Sequence, residues 1–298
     1  MRTFALILAL LLTAPGLAPA QDMQILGFGR LFNNDRIGDG GDKWRTGSYQ
    51  LSVIRGPGWS GALPSRPLAL QEFRFRSEII APRTDSVDRP YVGALSAGFH
   101  THLSLGQLGA SLGADLTAIG PQTGVSALQE QFHEIFSIPD PKGTETQLEN
   151  AVHISGTTEL NWPVRLTELV TIRPFAEGQA GVETLARLGA DVIVGRVGHA
   201  DLLVRDPVTG HLIRGVEGDA LGVSLVAGAD YARVAGSVFL PEDRGVSATD
   251  DRYRVRMGVH WQLAPLVSFF YGATYLSEEF VGQDEGQILG GLKLNFNF

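Results

Sequence analysis

The chain has no cysteine, so no disulfide framework can stand in for a hydrophobic core. It also lacks an apolar run of the roughly 20 residues that a membrane-spanning helix needs. Its most apolar stretch, Phe4 to Leu12, has nine residues. Charge is sparse at 19% and leans acidic, with 24 Lys and Arg against 32 Asp and Glu, which argues against a nucleic-acid partner. A mean hydropathy of +0.05 is too low for a helical bundle in lipid. A chain of this kind, if it enters a membrane, does so as strands.

What is present begins with an export signature. Met1-Arg2-Thr3 precedes the apolar stretch, and Ala18-Pro19-Ala20 before Gln21 supplies a small-residue cleavage site, so residues 1–20 read as a cleaved signal peptide. Loss of Arg2 with it takes the charge balance to 23 against 32. Residues 21–298 then form a single domain. At the other end, Leu292, Leu294, Phe296 and Phe298 alternate with Lys293, Asn295 and Asn297, as in the closing strand of an outer-membrane barrel with one face to lipid and one to the lumen. A half-buried soluble strand can alternate in the same way, and the export signal favours the membrane.

Period-two alternation recurs along the chain. It is clearest at 252–263, where Tyr253, Val255, Met257, Val259, Trp261 and Leu263 interleave with Arg252, Arg254, Arg256, Gly258, His260 and Gln262. Further strands are expected at 24–32, 46–55, 68–80, 91–103, 107–118, 152–162, 165–180, 183–195, 219–232 and 266–278. With the terminal strand these make twelve, an even number as in single-chain bacterial barrels. The fold class is therefore all-β: a twelve-stranded antiparallel transmembrane barrel, expected to be monomeric because closure leaves no free sheet edge. Glu72, Arg74, Arg76 and Glu78 on one polar face predict ion pairs that fill the lumen. The internal connections are short except one at about 196–218.

The chemistry-bearing residues fall in the external connections. Residues 33–47 are crowded with amides and carboxylates that suit a hard cation, although a solvated Gly/Asp loop has the same composition and the spacing is not that of an EF-hand. Residues 122–137 predict a short helix, with Val125, Leu128, Phe132 and Phe136 at helical intervals and Gln129 and His133 on one face beside that stripe. A histidine so placed can pack or cap as well as catalyse. Ser126 lacks a G-x-S-x-G elbow, so water is the simpler nucleophile. A narrow channel, or a structural or adhesive barrel, is the non-catalytic alternative.

Asn34-Asp35, the run from Asp42 to Thr46-Gly47, Asp88-Arg89-Pro90-Tyr91 with Gly93, Leu116 to Pro121, Gln129-x-x-x-His133, and Pro141-Lys142-Gly143 with Gln147-Leu148-x-Asn150 occur in a characteristic order. In that order and spacing the chain resembles the lipid A 3′-O-deacylase family, the LpxR type. The resemblance implies an outer-membrane esterase that removes the 3′-linked acyl or acyloxyacyl group of lipid A in lipopolysaccharide, with calcium as cofactor. It makes His133 the general base and Asn34, Asp35 and Thr46 the other catalytic polar groups, with Asn34 and Asp35 near the metal. For substrate binding it points to Gln129 and to a basic residue in the second external loop, where Arg83 and Arg89 are the candidates. Two departures stand out: that loop has no lysine, and Lys43-Trp44-Arg45-Thr46-Gly47-Ser48 replaces the usual tyrosine-rich stretch.

Overall fold

Side chains that alternate along the sequence alternate across a wall in the computed structural model, which describes residues 22–41, 43–83, 88–137 and 139–296. The strands are β1 (Gln24–Asn34), β2 (Trp44–Gly56), β3 (Gln71–Ala81), β4 (Val92–Leu105), β5 (Leu108–Ile119), β6 (Ala151–Asn161), β7 (Val164–Arg165) and β8 (Val170–Ala180). They continue as β9 (Glu183–Gly195), β10 (Leu202–Arg205), β11 (Leu212–Val216), β12 (Gly222–Ser237), β13 (Asp251–Ala264), β14 (Val267–Leu276) and β15 (Gln287–Phe296). A helix, α1 (Val125–Phe136), lies between β5 and β6. Every wall pairing is antiparallel, and the ring closes where β1 meets β15 at Asn33↔Gly291 and β6 meets β8 at Gly156↔Ala180. The two-residue β7 is a stub on β8, and β10 and β11 form a sheet of their own, which leaves twelve wall strands as expected. No described helix is long and apolar enough to cross a membrane; the crossing elements are strands.

On β13 Tyr253, Val255, Met257, Trp261 and Leu263 are exposed, while Arg252, Arg254, Arg256, His260 and Gln262 are buried. That pattern is inside-out for a soluble protein and correct for a barrel in lipid. Leu294 faces out and Lys293 and Asn295 face in. The expected roles of Asn297 and Phe298, and the signal peptide at 1–20, lie outside the described residues. The strand expected at 165–180 is interrupted: Leu166 and Thr167 donate back to the Val170 carbonyl, making a turn before β8.

The long connection after β9 is a hairpin folded into the lumen. Leu202 and Val204 of β10 and Ile213 and Val216 of β11 pack with Leu31, Ile54, Leu70 and Phe270, which point inward from the wall. The wall makes room with glycine: a Cβ on Gly27 would lie 2.4 Å from the Gly215 carbonyl oxygen, and one on Gly272 would lie 2.6 Å from the His211 ring.

The rest of the lumen is filled with charge, as the polar faces predict. Glu72 pairs with Arg74 at 2.8 Å and with His102 at 2.7 Å. Asp191 receives Arg205 at 2.9 Å and Arg256, while Asp230 receives Arg254 at 3.0 Å together with Arg187 and Arg256. His100 sits against Asp115 and His260 against the Leu212 carbonyl, both structural positions. A buried cation that loses its partner keeps its desolvation cost and loses the attraction that offset it. Asp230→Ala is therefore expected to destabilise the barrel by about 3–5 kcal/mol. The check is the urea midpoint at which the heat-modifiable folded band disappears, and an unchanged midpoint would show the cluster contributes nothing.

Candidate active site

At the helix-bearing rim the outer ends of β1 and β2 carry a cluster of oxygen and amide groups. Asp35 follows β1 directly, its amide donating to the Thr46 carbonyl at 3.1 Å, and its own carbonyl accepts the amides of Gly38 and Gly40. Its carboxylate accepts the Thr46 hydroxyl at 3.2 Å and the Lys43 amide at 2.8 Å. The Asn34 amide donates to the Thr46 carbonyl at 2.9 Å, and the Asn34 side-chain oxygen accepts from the Arg36 amide at 2.9 Å.

A β-bulge makes this arrangement possible. Arg45 and Gly47 oppose the consecutive residues Ile80 and Ile79 of β3, so Thr46 is the extra residue between them. Such a bulge re-aims a side chain without ending the strand. Arg45 can then point into the lumen, where Glu78, Glu279 and Glu183 hold its guanidinium, while Thr46 reaches Asp35. Just before the bulge, Trp44 takes φ 53°, a conformation that costs a bulky residue about 1–3 kcal/mol. Its buried indole donates to Asp88 at 2.9 Å and packs edge-on to Phe280, with Lys43 and Arg83 over the ring at 4.9 and 5.7 Å.

One rung of the wall links this cluster to the helix. Asn34 opposes Gly47, Gly47 opposes Ile79, and Ile79 opposes Gly93. These positions face outward: their neighbours Asn33, Ser48, Glu78 and Ala94 take the inward alternation, with Asn33 bonded to Ser48 inside. Helix α1 lies against the outside of the wall over β3 and β4. A Cβ on Gly93 would stand 2.9 Å from the Val125 Cβ, so glycine there is what allows the helix to lie so close.

The helix faces the opposite way from a soluble amphipathic helix. Val125, Gln129 and His133, four apart and on one face, are the buried residues, whereas Leu128, Phe132, Ile135 and Phe136 are exposed by 52–67%. Of the apolar stripe read from the sequence, Val125 packs on the wall while Leu128, Phe132 and Phe136 point away from the protein, as suits a helix lying in lipid. Gln129 accepts the Tyr91 hydroxyl at 2.7 Å. His133 Nδ1 lies 2.5 Å from the Pro139 carbonyl oxygen. A carbonyl only accepts, so Nδ1 carries the hydrogen and Nε2 of the neutral ring keeps its lone pair.

The chain after Pro139 returns to the end of β3: Lys142 donates to the Arg83 carbonyl at 3.2 Å, and a Cβ on Gly143 would meet Pro82 at 2.3 Å. Arg83 in turn stacks on Trp44, whose neighbour Lys43 caps the Asp35 carboxylate. A continuous series of contacts therefore joins the His133 end of α1 to Asp35. Leu148 and Asn150 support the loop, Leu148 within the cluster of Ile80, Val92 and Ile119, and Asn150 by accepting the Gln122 amide at 2.8 Å.

The two arginine candidates part company. Arg83 remains partly exposed and pairs with Asp284 and, at 3.5 Å, with Glu285. Arg89 is fully buried, bonded to Glu279 at 2.9 Å and stacked on Phe280, so its guanidinium is held inside the rim, away from the surface. Burial would raise the Glu279 carboxyl, but Arg45, Arg252 and Arg89 outweigh it and hold it below the usual range. The sequence assigns no role to Trp44, Pro139 or Lys142. Trp44 lies in the unusual Lys43-Trp44-Arg45 run and Lys142 in the Pro141-Lys142-Gly143 motif, whereas a carbonyl six residues from His133 leaves no signal.

Asp35, Thr46 and Asn34 present a carboxylate, a hydroxyl and an amide oxygen, the hard donors calcium selects. Among the described residues no group of three or more acidic or histidine side chains forms a metal cluster.

Comparison with known proteins gives matches over nearly the whole chain. A family model described as outer membrane protein LpxR matches residues 5–298. The solved structure of LpxR from Salmonella typhimurium superposes with a TM-score of 0.75 at 17% identity, over 91% of this chain and 100% of that one. The beta domain of the Bordetella autotransporter BrkA aligns with a TM-score of 0.49 at 12% identity, over 91% and 99% of the respective chains. No curated protein sequence matches the chain.

Proposed function

Because the chain belongs to the LpxR family of outer-membrane lipid A deacylases, we propose that it hydrolyses the 3′-linked acyl or acyloxyacyl ester of lipid A with a water activated by His133. The protein is an outer-membrane ester hydrolase whose substrate is lipid A. The finer assignment is supported above all by His133, an imidazole with its tautomer fixed, buried against the outer wall by a helix whose exposed side is apolar. Fatty chains of the outer leaflet can then lie along Leu128, Phe132 and Phe136 while the ester reaches the polar seam behind them.

In this reading His133 Nε2 takes a proton from water, and the hydroxide adds to the ester carbonyl carbon. The bond from that carbon to the sugar 3′-oxygen breaks, and the departing oxygen receives the proton from the imidazolium. Pro139 holds the ring through Nδ1, as an orienting group does for a catalytic histidine. The second amide hydrogen of Asn34 serves as a donor toward the reacting oxygen, while Thr46, whose hydroxyl hydrogen goes to Asp35, holds that carboxylate in place. Calcium fits the donor set, with Asp35 and Asn34 as its side-chain ligands, and when bound it supplies positive charge where the carbonyl oxygen becomes an oxyanion. Arg83 and Lys142 lie at the surface of the same rim and suit the anionic headgroup, and Gln129 lines the seam. Residues 1–20 serve as the export signal, and the closed wall functions as a monomer.

The test is mass spectrometry of lipid A from cells that make the protein and cells that do not. Loss of the mass of the 3′-linked acyl group is expected, with the matching free fatty acid released. An unchanged acyl pattern at every calcium concentration would remove the proposal.

A further inference from the structure

The lumen hairpin ends directly behind the proposed site. Its tip spans Asp206 to Gly210, closed by the Gly210 amide on the Asp206 carbonyl at 2.9 Å, with Gly210 at φ 76°. The Asp206 carboxylate accepts the Thr209 amide at 2.7 Å and hydroxyl at 2.5 Å, and it also accepts the Asn33 side-chain amide at 3.2 Å. Asn33 is wholly buried, donates to Ser48 at 3.0 Å, and occupies the rung next to Asn34↔Gly47. Residue 33 points in and residue 34 points out, so whatever fixes Asn33 fixes the rotation of the strand that presents Asn34 and Asp35.

We propose that Asp206, at the tip of the lumen hairpin, is a positioning residue for the hydrolytic site, holding Asn33 and through it the outer ends of β1 and β2. The inference rests on the assignment of Asn34, Asp35 and Thr46 to catalysis. The hairpin is well fixed for such a role. Arg205, adjacent to Asp206, is tied to Glu159 at 2.7 Å and Asp191 at 2.9 Å, and His211 bonds Thr274 at 3.0 Å. The tip is thus a rigid support from the far side of the barrel, pressed against the inner face of the strand pair whose outer face carries the chemistry.

A donor–acceptor exchange separates positioning from general stability. Asn33→Asp sets two carboxylates against each other in the lumen, whereas Asn33→Asp combined with Asp206→Asn leaves one negative charge there, the new amide at 206 keeping its oxygen on the Thr209 donors and turning its nitrogen to the carboxylate at 33. With the purified full-length barrel and defined lipid A at saturating calcium, Asn33→Asp is expected to lower kcat about tenfold with little change in KM, and the double variant to recover to within about threefold of wild type. Glu217→Gln, at the base of the hairpin where Glu217 meets Lys293 at 2.7 Å, should leave kcat unchanged. Wild-type kcat in Asn33→Asp, or no recovery in the double variant, overturns the proposal. If Asn33→Asp alone fails to fold, the kcat of the double variant decides. His133→Ala measured alongside keeps the two ideas apart: an inactive His133→Ala beside an unaffected Asn33→Asp removes only the hairpin's role, while an active His133→Ala removes the site assignment and the hairpin's role with it.

Discussion

His133→Ala is expected to lower kcat for lipid A deacylation by about 10²–10⁴-fold, the usual contribution of a positioned general base. The barrel should remain folded and heat-modifiable, because His133 is on a helix laid against the outside of the wall and takes no part in the ladder or the lumen ion pairs. His133→Gln is the informative companion. It keeps a polar side chain of similar length but cannot take the proton, so it should be as inactive as alanine. Activity of either variant within threefold of wild type would mean that His133 only packs against the wall.

The second large effect concerns the cation. Chelation of calcium is expected to reduce activity by about 10²–10³-fold, the typical loss when stabilisation of an oxyanion is removed, and added calcium should restore it. Asp35→Ala should show the same loss without rescue. It removes the one carboxylate of the donor set, and it frees the Thr46 hydroxyl and Lys43 amide that Asp35 now accepts. Because Asp35 lies beyond the end of β1, outside the ladder and the lumen ion pairs, the barrel should stay folded, with a loss of about 1–3 kcal/mol from the freed donors. Full turnover in chelator would show that the Asn34–Asp35–Thr46 cluster works without a metal and that its hydrogen bonds alone stabilise the developing charge.

How much was legible in the sequence differs from element to element. On β13 each residue declares its own face, because the pattern of two is local and lipid outside with charge inside leaves no ambiguity. Helix α1 was legible as a helix from the spacing of Val125, Leu128, Phe132 and Phe136. Its rotation was not, since the same stripe points inward when the surroundings are water and outward when they are lipid. The candidate pair Arg83 and Arg89 looked alike in one loop, and only the fold put Glu279 against one of them, 190 positions away in the chain. The segment 196–218 signalled itself only by its length. Nothing in it announced a hairpin that would turn into the lumen, because its apolar residues find their partners on β1, β2 and β14 and have no periodic neighbours of their own.

Taken alone, the order of residues determined a closed cylinder of twelve two-faced strands, one short helix in an external connection, and a short roster of candidate groups for ester hydrolysis. Tertiary structure decided the direction of the helix face, the bulge that turns Thr46 toward Asp35, the burial of Arg89, and the contact of Asp206 with Asn33 across 173 positions. The physical reason is the range of each interaction. A strand's faces follow from side chains two residues apart, whereas the partner of a buried charge or amide is chosen by closure of the barrel, which no local pattern encodes.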